Sequence, residues 1–238
     1  MEQNLRRALS ISDGDVGVYG AVSESASIAG LHEAAVLNTS TVAYSHGTVG
    51  GNITRSGSMQ IVAEGFNGTA NVGGSFSLNV RGSISGSISA QNRVTLQAEQ
   101  VNGSVNGTIV VIDAFGNVGA NITAAKVIDL QAFGDVTGTI QGGTGTTNIF
   151  ARGSVGAVNT EGNATITAWG TIGGVSSTHG AVTVQGYKSI SGAVTALHDV
   201  TVVTWENLSS EVTSYEGNVK AFSSKDISGP LAADEGNV

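Results

Sequence analysis

The chain has 238 residues, of which 35 are glycine, one is proline and none is cysteine, and only 5% are aromatic. That composition excludes disulfides and thiolate metal sites, and it does not support a bulky-cored globular domain rich in helix formers. A net charge of −8 with only 10 lysines and arginines, scattered along the chain, argues against a nucleic-acid partner, and no apolar run approaches the ~18 residues of a membrane span.

Residues 1–17 stand apart from the rest of the chain. Leu5, Ala8 and Leu9 have helical spacing and predict one short amphipathic turn, a cap or the end of an upstream linker. No apolar stretch comes after Met1 to make a signal peptide, so the expectation is a cytoplasmic protein or an excised piece of a longer one. Residues 18–238 read as a single parallel β-solenoid. Val18 to Val22 has the form of a coil opening, but the next clear opening is Val49, so residues 24–38 are expected to hold an irregular excursion before Thr41 to Ser45 rejoins the pattern.

From Val49 the openings recur at Phe66, Ile84, Val101, Val118, Val136, Val155, Ile172, Ile190, Leu208 and Ile227. Between Val118 and Leu208 the steps are 18, 19, 17, 18 and 18 residues. A strand plus a crossover helix needs about 30 residues, so each repeat has room for one turn of a β-only coil. Within a repeat, an aliphatic–small–aliphatic opening is followed by an alternating run such as Ala164 to Ala168 or Val200 to Thr204. Alternation with period two places one set of side chains inward, and parallel stacking at ~4.8 Å lines them into ladders that no single repeat forms alone. Opposite walls of so narrow a tube leave no room for large groups, in keeping with a core of Val, Ile, Ala and Gly. Pro230 is the sole residue unable to donate to a ladder. About 10 to 12 such coils are expected, right-handed because parallel crossovers overwhelmingly are. The last coil stops half-way round at Val238, which predicts further coils or end-to-end stacking of a partner on that edge.

Three sets of residues are candidates for function. Aligning the second strands on Ala98, Ala114, Ala132, Ala151, Ala168, Gly186 and Thr204 brings His46, Glu64, Arg81 and Glu99 into one outward column, continued by Phe115, Phe133, Arg152, Trp169, Tyr187 and Trp205 and then Ser224. The first four suit an exposed ion-pair ladder. The next six form an aromatic strip around one arginine, either stacking on one another or offering a contact surface to a glycan or a neighbouring solenoid. A turn column of Thr144, Glu161, His179, His198, Glu216 and Glu235, with Asp199 beside His198, contains zinc-type donors, but solvated turn residues are the expected outcome and no metal is assigned. Asp113 and Asp129 fall on neighbouring coils two positions out of register, whereas general acid/base hydrolysis wants two carboxyls facing each other, so no catalytic residue and no cofactor is assigned. The eight Asn-x-Ser/Thr sequons arise from polar alternation and are not read as glycosylation sites.

Rows such as Gly116-Asn117-Val118-Gly119-Ala120-Asn121-Ile122 and Gly134-Asp135-Val136-Thr137-Gly138-Thr139-Ile140 resemble the repeats of large secreted bacterial β-helix proteins of the filamentous-haemagglutinin and autotransporter-passenger type. They are also similar to bactofilins, cytoskeletal proteins whose short β-helix polymerises end to end. The number of coils, and the aromatic-glycine pairs Phe115-Gly116, Phe133-Gly134 and Trp169-Gly170, favour the first likeness. It implies a non-catalytic structural or adhesive segment of a larger secreted or cell-surface protein. The bactofilin likeness implies a self-polymerising filament in the cytoplasm, and a carbohydrate-binding or polysaccharide-cleaving β-helix is the further alternative.

Overall fold

The computed structural model describes residues 47–238 throughout and, before them, the strands Val16–Tyr19, Ala26–Ala29, Leu31–Ala35 and Thr41–Ser45. Most of residues 1–17, the expected cap or linker, lie outside the described residues. The fold is all-β, a parallel β-solenoid of about 10 turns with ~18 residues per turn, and no helix occurs among the described residues. Its coils fall into two compact units, Met1–Val111 and Ile112–Val238.

In the first unit the strands Thr48–Arg55, Gly65–Val72 and Ser83–Ala98 stack in parallel with Val49 on Phe66 and Phe66 on Ile84, and Val101 then pairs with Ile84. A second stack runs through Thr41–Ser45, Met59–Ala63 and Phe76–Val80. Alternation sends Ile53, Ile61, Leu78, Ile88 and Leu96 inward, where each is almost fully buried. Burying one such side chain stabilises the folded chain by ~1.5–3 kcal/mol. Contrary to the expectation of an interior without large groups, Phe66 and Phe76 both lie inside this unit, tilted at 60° with ring centroids 6.5 Å apart. The two rings share one coil's width and pack between the aliphatic rungs Val49 and Ile84 and the rungs Met59 and Val94.

One corner of this unit is made by glycine alone. Gly51, Gly68 and Gly86 stand in register, and Gly51, Gly86 and Gly103 have φ of +88°, +121° and +100°. A Cβ on Gly86 would strike the carbonyl oxygen of Gly68, and one on Gly103 would strike that of Gly86. Glycine is required there both for its dihedral angle and for the close approach of successive backbones.

Thr41–Ser45 joins the parallel stack as expected, but the strands before it run differently from a parallel coil. Val16–Tyr19 pairs antiparallel with Thr41–Ser45, placing Val18 opposite Ala43, so Val18 does not open a coil. Ala26–Ala29 pairs antiparallel both with Leu31–Ala35 and with Thr48–Arg55. A hairpin thus fills part of the stretch expected to be irregular. The physical reason is edge satisfaction: the first coil has bare N–H and C=O groups on one side, and antiparallel strands saturate them.

The second unit is more regular. Parallel bridges join Val118 to Val136, Val136 to Val155, Val155 to Ile172, Ile172 to Ile190, Ile190 to Leu208 and Leu208 to Ile227, matching the openings read from the sequence. The first six of these residues are all but inaccessible, and the buried hydrophobic residues of this unit are aliphatic throughout. Its corners are held by side chains that accept hydrogen bonds from the backbone of the next coil. Asn117 Oδ1 accepts from Asp135 N–H at 2.8 Å, Asp135 Oδ1 from Ser154 N–H at 2.6 Å, and Ser154 Oγ from Thr171 N–H at 3.1 Å. A second corner repeats the device, with Asn163 accepting from Ala181 N–H, Asp199 from Asn218 N–H and Asn218 from Asn237 N–H.

Candidate functional site

The parallel strands that end at Ala132, Ala151, Ala168, Gly186 and Thr204 pair at these residues in one unbroken series, and all five point inward and are buried. The next residue on each rung therefore points out, which places Phe133, Arg152, Trp169, Tyr187 and Trp205 in one column. Phe115 joins it through the hydrogen bond from Phe133 N–H to Ala114 C=O. The structure thus brings together all six residues of the strip expected from the sequence.

Within the column the side chains stack on one another. Phe115 and Phe133 lie 6.1 Å apart, the Arg152 guanidinium sits 4.3 Å from the Phe133 centroid and 5.6 Å from that of Trp169, Trp169 meets Tyr187 at 5.7 Å, and Tyr187 stacks on Trp205 at 4.5 Å and 5°. Offset aromatic pairs contribute ~0.5–1.5 kcal/mol each beyond their buried area, and the guanidinium joins the series as a cation over two ring faces. Stacking leaves the rings substantially open to solvent, from 59% for Phe115 to 40% for Trp205. Only the Tyr187–Trp205 pair is parallel, and it uses one face of each ring.

Two further outward columns run beside the ladder on the same sheet. The middle one reads Gln131, Phe150, Thr167, Gln185, Val203 and Phe222. The far one reads Asp129, Asn148, Thr165, Thr183, Thr201 and Lys220. Phe150 and Phe222 are exposed and escaped the sequence alignment, which followed one position per rung. Carrying that alignment two residues toward the N-terminus would have found them. On their rungs the ladder position is held by Arg152 and Ser224, so the aromatic group shifts one column inward at both places.

The other candidates are less organised. Glu64 and Arg81 form the expected exposed ion pair at 3.3 Å, while His46 lies outside the described residues. Asp129 pairs with Asn148 in the far column, and the Phe133-to-Ala114 hydrogen bond places Asp113 beside Gln131 in the middle one, so the two carboxylates occupy different columns. His179 Nδ1 is 3.0 Å from Thr178 Oγ1, and His198 Nδ1 is 3.9 Å from Glu216 Oε2. Among the described residues no group of three or more His, Asp or Glu side chains is placed to hold a metal ion. Asp199 beside His198 has its pKa lowered, chiefly by the backbone hydrogen bond from Asn218 and then by that residue's side chain.

No protein-family model matches the chain, and no curated protein or solved structure matches it significantly. The likeness to secreted β-helix proteins and to bactofilins therefore rests on the coil pattern alone.

Proposed function

We propose that this chain is a non-catalytic structural or adhesive β-helix segment of a larger secreted or cell-surface protein, and that it engages its partner through the Phe115 to Trp205 strip. One observation carries the reading: five aromatic rings and a guanidinium, already stacked in register, remain 40–59% exposed at the rings. The internal stacking explains why the side chains are ordered. It does not explain why so much apolar surface stays open, and contiguous exposed apolar surface marks contact sites. A rigid sheet holds these groups in place before contact, which lowers the ordering cost of binding.

The test is a double variant, Trp169→Ala with Trp205→Ala, compared with the unaltered protein on a printed glycan array and in sedimentation velocity over a wide concentration range. The expected result is array binding or self-association in the unaltered protein, with at least a tenfold loss in the variant and an unchanged far-ultraviolet spectrum. A variant indistinguishable from the parent in both assays refutes the reading.

A further inference from the structure

The three rungs that end at Trp169, Tyr187 and Trp205 differ from their neighbours. On these rungs the middle column holds Thr167, Gln185 and Val203, all half-buried, and the far column holds Thr165, Thr183 and Thr201. Their side chains are short except for Gln185, and beside them stand the tall ring edges of the ladder. The result is a flat shelf against an aromatic wall. Phe150 on the preceding rung and Phe222 on the following one project from the middle column and bracket the shelf at both ends.

The geometry points to this shelf as a binding site for a short run of uncharged hexose units, lying along the solenoid axis with Thr167, Gln185 and Val203 beneath it and the edges of Trp169, Tyr187 and Trp205 beside it. The inference rests on the reading that the aromatic strip is a contact surface, and it names both the place and the chemistry of contact.

Three features of the shelf select this ligand. The first is charge. The middle and far columns are neutral on all three rungs, although the chain carries −8; Arg152 and Lys220 stand on the bracketing rungs, and Lys188 and Asp199 lie just beyond the ends of the shelf strands. An acidic ligand would find no counter-charge on the shelf, and desolvating a charged group there would be costly. The second is hydrogen-bonding capacity. Four threonine hydroxyls and one amide offer donors and acceptors in pairs, which is what sugar hydroxyls need. The third is repeat length. Successive rungs are ~4.8 Å apart, close to the length of one extended hexose residue, so consecutive sugars meet equivalent groups. The stacked ladder also explains why contact is made on the shelf. Tyr187 and Trp205 already cover one face of each other, so a sugar lying along the shelf meets these two rings at their edges.

The experiment titrates the full chain with cellohexaose, chitohexaose and laminarihexaose, with a galacturonate hexamer as the charged comparison, followed by calorimetry and by tryptophan fluorescence. At least one neutral hexamer is expected to bind, more tightly than the galacturonate hexamer. Val203→Arg, which places bulk and charge on the shelf without touching the ladder, is expected to weaken binding at least tenfold, and Gln185→Ala is expected to weaken it about three- to tenfold. If Val203→Arg leaves neutral-hexamer binding intact while Trp205→Ala removes it, the shelf is not the site, although the strip still is. If no neutral hexamer binds but the protein self-associates through the strip, the partner is another protein surface and the shelf inference fails alone. Tighter binding of the galacturonate hexamer also overturns it. If neither hexamers nor self-association are seen, both readings fail.

Discussion

Replacing Gly86 by alanine tests the close stacking of the first unit at its most demanding point. Gly86 combines a φ of +121° with a backbone approach that a Cβ would obstruct at the Gly68 carbonyl. Holding an L-residue at such an angle costs about 1–2 kcal/mol. Moving a rung to relieve the obstruction adds about 1–3 kcal/mol, the range seen when well-packed interiors are overfilled. The sum, about 2–5 kcal/mol, is a large part of the ~5–15 kcal/mol that stabilises a typical domain. The matched control is Gly47→Ala in the same unit, where a Cβ meets nothing within 4 Å. Urea unfolding followed by far-ultraviolet circular dichroism is expected to show the Gly86→Ala midpoint falling by about 1–2.5 M, using a slope of about 2 kcal/mol/M. Gly47→Ala is expected to stay within about 0.5 kcal/mol of the parent. Equal midpoints for the two variants would refute the described approach of Gly86 to Gly68.

The second unit yields further expected outcomes. Ile166→Ala leaves a void between the paired rungs Ile149 and Val184, and chemical denaturation is expected to register a loss of about 2–5 kcal/mol. Asp135→Ala leaves the Ser154 N–H without its acceptor, with an expected loss of about 1–3 kcal/mol measured the same way. Asp199 has a folded pKa below its unfolded value, so its contribution is complete above the unfolded pKa of about 4 and is lost as pH falls through the folded value. An Asp199→Asn variant is therefore expected to show a shallower decline in melting temperature between pH 5 and pH 2 than the parent does. Tyr187→Ala removes the ring between Trp169 and Trp205 and is expected to shift tryptophan emission to longer wavelength without altering the far-ultraviolet spectrum.

Much of this arrangement was legible because physics repeats it. The openings from Val118 to Ile227 show in the sequence because each must present an aliphatic group to the same tube, and the structure bridges them one to the next. The aromatic ladder was legible for the same reason, since the inward alanines fix which residue on each rung must face out. The antiparallel strands over the first coil were not, because edge coverage is used once and leaves no period to detect. Phe66 was read as a coil opening, but a second ring beside it, Phe76, was unexpected inside for a related reason: the space available to two rings in one coil depends on both walls together, whereas the repeat describes one wall at a time. The corner acceptors lay in plain view as the polar residue before each opening, Asn117, Asp135 and Ser154 among them, but in sequence they look like ordinary turn residues.

Because each corner acceptor in the second unit serves the coil that comes after it, every row is addressed only by its two neighbours. A row is therefore a modular cassette. Excising residues 155–171 would lay Ile172 directly upon Val136 with the aliphatic columns preserved, and duplicating a row would add one more copy of the same junction. Such a chain can change its number of rows without redesigning any one of them, and the length of its exposed face becomes a quantity set by counting.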